Sequence, residues 1–480
     1  MARRMRCAAA LTGVTATLLA LSPFSVAQAQ QPTTSAASQP DDVFPKPPPP
    51  GAPAGLAPAV KDMPYEQKQN CIVPGNNGLT VEPRPWGQMV LQFEKAWRFA
   101  TGKKQKVAVI DTGVNPHPRL KGRLEGGGDY VQDGKNGTED CNGHGTLVAG
   151  IIAADNDDST EGFKGVAPDA KILAFRQTDP FWKAKDTRTG QERSAGRLDT
   201  LAQAIRRAAD DPEVTVINIS ETICGPVGSL ADQATLRGTV RYAVKTKNKV
   251  IVVAAGNTSE GDESSSCKQN NSPGRANVVA SPAFFDDDVL TVGAVTFEGE
   301  RATFSIGGPW VDIAGPGTKI TSLDPGRGAT KLANRMLDNS GKPTEIQGTS
   351  FAAPYVAGVA ALVRERYPDL SAYQVMSRLQ QTAQHPAGKG GRDFYLGYGM
   401  VDPIAALTAV LPEEAGVTPM PPVRDTMPLS PPVEKNWTPI VVALAGAGGG
   451  LGLLLLTLFI VRTVQRDKRA EEESALRPLH

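Results

Sequence analysis

Between about residues 107 and 382, short runs rich in Val and Ile alternate with longer segments whose apolar positions recur at helical spacing. The runs at 107–110, 172–175, 214–219, 250–254, 289–292 and 311–314 are largely apolar on both strand faces, as strands buried on both sides are. The segments 144–154, 198–209, 231–245, 350–366 and 372–382 read as helices. Strand alternating with helix predicts an α/β fold with a mostly parallel central sheet flanked by crossover helices. Reactive groups in such sheets sit at the carboxyl ends of the strands.

Two further apolar stretches flank this region. The first follows Arg3-Arg4-Met5-Arg6 and ends in Ala27-Gln28-Ala29. That order predicts a secretory signal over 1–29; an uncleaved anchor is the rival reading, against which stand the short apolar part and Pro23. The second, 440–461, carries no charge and is long enough to cross a bilayer as one helix. Arg462, Arg466, Lys468 and Arg469 follow it, which predicts a cytoplasmic tail at 462–480 and an extracytoplasmic main domain in a single-pass membrane protein. Gly446 and Gly450, and likewise Gly448 and Gly452, have a spacing that permits close helix packing, though it is common in membrane helices.

Composition divides the rest. Residues 30–64 are rich in Pro, Ala, Ser and Gln and predict a disordered, extended segment. Residues 65–101 are mixed and supply Trp86 and Trp97 for packing on the main domain, which spans 102–411; a Pro-rich stalk at 412–439 leads to the span. A net charge of +1 over 480 residues offers no basic excess for nucleic acid. With Cys7 lost in the signal, Cys71, Cys141, Cys224 and Cys267 remain. In an oxidising compartment they suggest two disulfides, with three pairings open; zinc is a poor rival because no CxxC pair is present.

Ser350 lies in Gly348-Thr349-Ser350-Phe351-Ala352-Ala353-Pro354, at the start of a long apolar helix. A hydroxyl there is either a helix cap or a nucleophile beside the unpaired N–H groups of a helix N-terminus. Asp111 ends the first strand, where a turn residue and a catalytic carboxylate look alike. His144, in Asn142-Gly143-His144-Gly145, opens an apolar helix; of the other three His, His117 lies among prolines, His385 precedes a proline and His480 is terminal. Asn257 finishes the buried run at 250–254 with an amide that can turn the chain or donate to an oxyanion.

Together, VIDTGV, NGHGTLVAG, VVAAGN and GTSFAAP occur in the order of the Asp, His, oxyanion Asn and Ser motifs of the subtilases, which the chain resembles over about 102–410. The resemblance implies a subtilisin-like fold and a serine endopeptidase acting on proteins or peptides; no cofactor is expected, and the sequence shows no convincing calcium or zinc ligand cluster. Asp111 would orient His144, His144 would shuttle the Ser350 proton, and Asn257 with the Ser350 N–H would hold the oxyanion. The signal, cysteines, stalk and anchor narrow the resemblance to the mycosins, membrane-anchored proteases of bacterial type VII (ESX) secretion systems. That implies membrane-embedded secretion components as partners, and a mainly structural role in the secretion complex is the alternative. It also favours Cys71–Cys141 and Cys224–Cys267, with the extension kept as a brace. A cleaved inhibitory prodomain is the rival reading, for which the segment after Ala29 is short. Glu221-Thr222 departs from the Leu-Gly that many subtilases carry there, and the polar stretches 183–197 and 324–345 are candidate cleft rims or plain solvated loops.

Overall fold

The computed structural model describes residues 45–475, apart from 74, 76–83, 156–161, 188–189, 230–232, 259–265, 272–274, 338–341, 387–390 and 418–437. The expected signal at 1–29, most of the stalk at 412–439 and residues 476–480 of the tail lie outside the described residues. At the centre is a seven-stranded sheet, ordered Ile313–Pro316, Leu290–Val295, Val250–Ala254, Val214–Ile219, Lys106–Asp111, Lys171–Arg176, Leu124–Asp129. Every pairing in it is parallel. The fold is subtilisin-like, as the sequence led us to expect.

The buried strands match the apolar runs because both faces are covered. The Thr349–Arg366 helix is buried from Thr349 to Arg364 and packs across four strands and against the His144–Ala153 helix. A helix apolar all round belongs in a core. The Leu198–Asp210 and Ala234–Arg241 helices pack on each other and form the amphipathic cover. The last strand starts at Ile313 instead of 311, since Asp312 is engaged with the neighbouring strand: its carboxylate accepts from Thr291 N at 2.8 Å. Leu124–Asp129 is an additional edge strand that its glycine run had hidden.

The expectation of disorder through residue 64 does not hold for 45–64, which lie extended along the domain surface. Prolines lack N–H groups but keep carbonyls that need donors, and the buried Arg237 and the half-buried Arg206 and Arg207 supply them to this segment. Arg237 Nη1 donates to Pro47 O at 3.0 Å and Pro48 O at 2.5 Å, Arg206 to Ala54 O and Arg207 to Ala57 O. Further on, Glu66–Gln67 pairs antiparallel with Asp179–Lys185, which in turn pairs with Glu192–Ala195. The stretch 183–197 is thus largely a hairpin completed by the extension rather than a loop. Trp97 Nε1 donates to Val166 O at 2.8 Å, and Trp86 Nε1 to Thr318 O.

Two disulfides are present, Cys71–Cys141 and Cys224–Cys267. Beyond the domain, Thr438–Ala475 is one helix, in which Gly448–Arg466 has a mean hydropathy of 1.5 and none of its surface buried. By length and composition it is a candidate membrane anchor.

The carbonyl contacts of Arg237 give a direct test. Hydrogen bonds to charged donors contribute about 1.5–3 kcal/mol. In Arg237→Ala, limited proteolysis should cut within residues 45–60 well before the wild type is cut there. Equal cutting rates would show that these contacts do not hold the segment.

Candidate active site

Three strand ends and two helix starts meet at the carboxyl edge of the sheet. Asp111 is the last residue of its strand and fully buried. His144 begins one helix and Ser350 is the second residue of another. His144 Nδ1 lies 2.8 Å from Asp111 Oδ1, and Nε2 lies 2.9 Å from Ser350 Oγ. The imidazole therefore bridges a carboxylate and a hydroxyl. Ser350 is not a cap: the helix begins at Thr349, with Gly348 in the cap position and no side-chain cap bond.

Each member is held by its own partners. Thr112 N donates to Asp111 Oδ1 at 2.8 Å, and Thr112 Oγ1 accepts from Gly145 N at 2.9 Å, tying the strand end to the start of the His144 helix. A Cβ on Gly145 would come within 2.1 Å of Gly113 O, so only glycine permits this approach. Asp140, which the motif search passed over, organises the loop. It accepts from Gly143 N, Thr146 N, Thr146 Oγ1 and Thr112 Oγ1 at 2.6–2.9 Å. Its place four residues ahead of His144 was the only available signal. The Phe351 ring lies 4.8 Å from the imidazole, centroid to centroid.

Asn257 stands on the other side of Ser350. Its Oδ1 accepts from Thr349 N at 2.9 Å and from Thr349 Oγ1 at 3.0 Å, which turns Nδ2 toward Gly348. A Cβ on Gly348, whose φ is 153°, would lie 2.9 Å from Ser350 Oγ and 3.3 Å from Asn257 Nδ2. Glycine thus leaves open the space between hydroxyl and amide where an oxyanion fits.

Burial of the His144 ring lowers its pKa, but the Asp111 charge and hydrogen bond, with Glu221 and Asp140, outweigh burial and hold it at about 9. Burial likewise pushes the Asp140 carboxyl up to about 7 against its four bonds. Glu221 was legible only as a departure from the common pattern, yet its Oε1 lies 3.7 Å from His144 Nδ1. His117 is buried with Nε2 3.1 Å from Lys331 O, away from the site. At the start of the 324–345 stretch, Pro325 lies against Gly143 and its O accepts from Asn115 Nδ2, and Asp324 Oδ2 accepts from Gly75 N of the extension.

A parallel sheet of this order, with Asp, His and Ser meeting at its edge, defines the subtilisin class of serine peptidases, and residues 102–399 match the model of the Subtilase family. The chain belongs to that family and, within it, to the mycosins. It is 40% identical to Mycosin-4 of Mycobacterium tuberculosis over 405 residues, covering 82% of this chain and 86% of the relative. To Mycosin-1 of Mycolicibacterium smegmatis it is 38% identical over 445 residues, covering 87% and 94%. The crystal structure of MycP1 from the ESX-1 type VII secretion system superposes with a TM-score of 0.69 at 38% identity, over 77% of this chain and 97% of that one. A chain in the structure of an intact ESX-5 inner membrane complex matches with a TM-score of 0.70 at 38% identity, over 88% and 100%.

The open space at Gly348 can be filled deliberately. Gly348→Ala should slow covalent labelling of Ser350 by a fluorophosphonate roughly 10²-fold, the scale of a small misplacement at a reacting centre, and should also lower the melting temperature, because backbone at φ 153° and ψ 155° is adopted without strain essentially by glycine alone. Labelling at the wild-type rate would show that this space is not used.

Proposed function

We propose that this chain is a membrane-anchored serine endopeptidase of a type VII secretion system, with Ser350 as nucleophile. The observation that carries the reading is the imidazole bridge, 2.8 Å to Asp111 and 2.9 Å to Ser350. Ser350 Oγ attacks the scissile carbonyl while His144 Nε2 takes its proton. His144 then returns the proton to the leaving amine, and water repeats the sequence to release the acyl group. Asp111 fixes the tautomer and offsets the charge of the imidazolium. The Asn257 amide and the Ser350 N–H receive the oxyanion, where preorganised donors act most strongly.

The same proposal assigns the chain's topology. Residues 1–29 direct export, 102–411 form the peptidase domain with 65–101 packed on it, 412–439 form a stalk, and 440–461 cross the cell membrane once. The tail at 462–480 is cytoplasmic, supported by Arg462 and its basic neighbours. The substrate is a protein or peptide, and membrane-embedded secretion components are the partners, by analogy with the similar chain in the ESX-5 inner membrane complex. That likeness also favours a second, compatible role as a stabilising subunit of such a complex.

Ser350→Ala and His144→Ala should each abolish peptide hydrolysis and fluorophosphonate labelling, and Asn257→Ala should cost about 10²–10³ in rate. Undiminished turnover by purified Ser350→Ala would overturn the mechanism. For topology, protease added outside intact cells should digest the catalytic domain and spare an epitope tag placed after His480. Loss of the tag under those conditions would reverse the orientation.

A further inference from the structure

Glu221 follows the Val214–Ile219 strand by two residues, so the sheet delivers it to the same edge as Asp111. Its Oε1 lies 3.7 Å from His144 Nδ1, the nitrogen that Asp111 Oδ1 already engages at 2.8 Å. Two carboxylates thus face one ring nitrogen. The longer separation is outside hydrogen-bond range but within reach of a charge. The two acids differ in setting, since Asp111 is fully buried whereas the Glu221 side chain is 40% exposed.

Among the described residues, the surrounding elements add no free cation to offset this charge. Asp140, in the loop ahead of the His144 helix, is occupied by four hydrogen bonds. Asp179, at the start of the hairpin, is 2.7 Å from Arg176, and Arg176 is also 3.7 Å from Asp129. Phe351 and Ser350 complete the surroundings of the ring without charge. Among the described residues, the imidazolium is the cation that both acids share.

We propose that Glu221 is a positioning residue for peptide hydrolysis, whose charge favours the imidazolium form of His144 and so stabilises the cation formed during acyl transfer. The inference rests on the Ser350–His144 reading above. Burial raises the Glu221 carboxyl, the His144 charge lowers it, and the charges of Asp111 and Asp179 raise it again. The sign follows directly. A negative charge near His144 raises its affinity for the proton, so removing that charge moves the acid limb of reactivity to lower pH.

The test is the pH dependence of Ser350 inactivation by diisopropyl fluorophosphate in the detergent-solubilised full chain, which needs no knowledge of the substrate. In Glu221→Gln the acid limb should lie about one pH unit lower, the small end of the shift expected from a charge at this range. Below the wild-type limb the variant should then label up to about ten-fold faster. Glu221→Asp, which keeps the charge, should fall between the two. An unmoved limb overturns the proposal, whether labelling is uniformly slower or only peptide preference changes. If wild-type Ser350 labels at no pH, the proposed function fails instead. The role of Glu221 is then decided by NMR titration of the His144 ring, assigned through His144→Ala: a lower midpoint in Glu221→Gln supports the inference and an equal midpoint overturns it.

Discussion

The imidazole of His144 must touch residues 33 and 206 positions away in the chain, and the architecture is organised around meeting that constraint. A side chain with polar atoms at both ends can be held at 2.8 and 2.9 Å only if both neighbours are immobilised by rigid elements. Strand ends provide Asp111 and Asn257; helix starts provide His144 and Ser350. Burying this much polarity without partners would cost several kcal/mol per group. Thr112, Asp140 and Thr349 supply the partners, and each joins two of the converging segments.

The extension reaches the same constraint from outside. Cys71 is bonded to Cys141, and Cys141 adjoins Asp140, whose carboxylate caps the His144 helix. Ile72 N donates to Cys141 O at 2.9 Å, and Gly75 N to Asp324. Cys71, Ile72 and Gly75 thus connect the loop ahead of His144 with the stretch beyond Ser322. Closing a loop with a sequence separation of 70 restricts the unfolded chain, typically by ~2–4 kcal/mol. Here the restraint falls beside the residue whose placement matters most.

How legible all this was in the sequence depended on how local each cause is. The central strands stood out because a parallel sheet covered on both faces needs runs of apolar residues, and Val250–Ala254 and Val214–Ile219 have the bounds expected. Leu124–Asp129 did not stand out, since three consecutive glycines carry no pattern. The segment 45–64 looked unstructured because nothing in it is periodic; what orders it are arginines 150–190 residues downstream. Asp111, His144, Asn257 and Ser350 were each ambiguous alone and gained meaning from their order. Asp140 and Glu221 had no motif, because their relation to His144 is purely spatial.

Glu221 marks where family resemblance stops being informative. The imidazole bridge between Asp111 and Ser350 can be altered chemically through the charges that surround it. A carboxylate 3.7 Å from the ring acts on the proton affinity of His144 without disturbing its hydrogen bonds. It is a substitution that alters when the base is available rather than what the base does. Its half-exposed position is consistent with that distinction: buried as deeply as Asp111, a second acid would tend to stay neutral and contribute no charge. The ring itself offsets the cost of a second acid at this edge: burial raises the Glu221 carboxyl and the His144 charge lowers it, so the second negative charge is best tolerated when the imidazole is protonated.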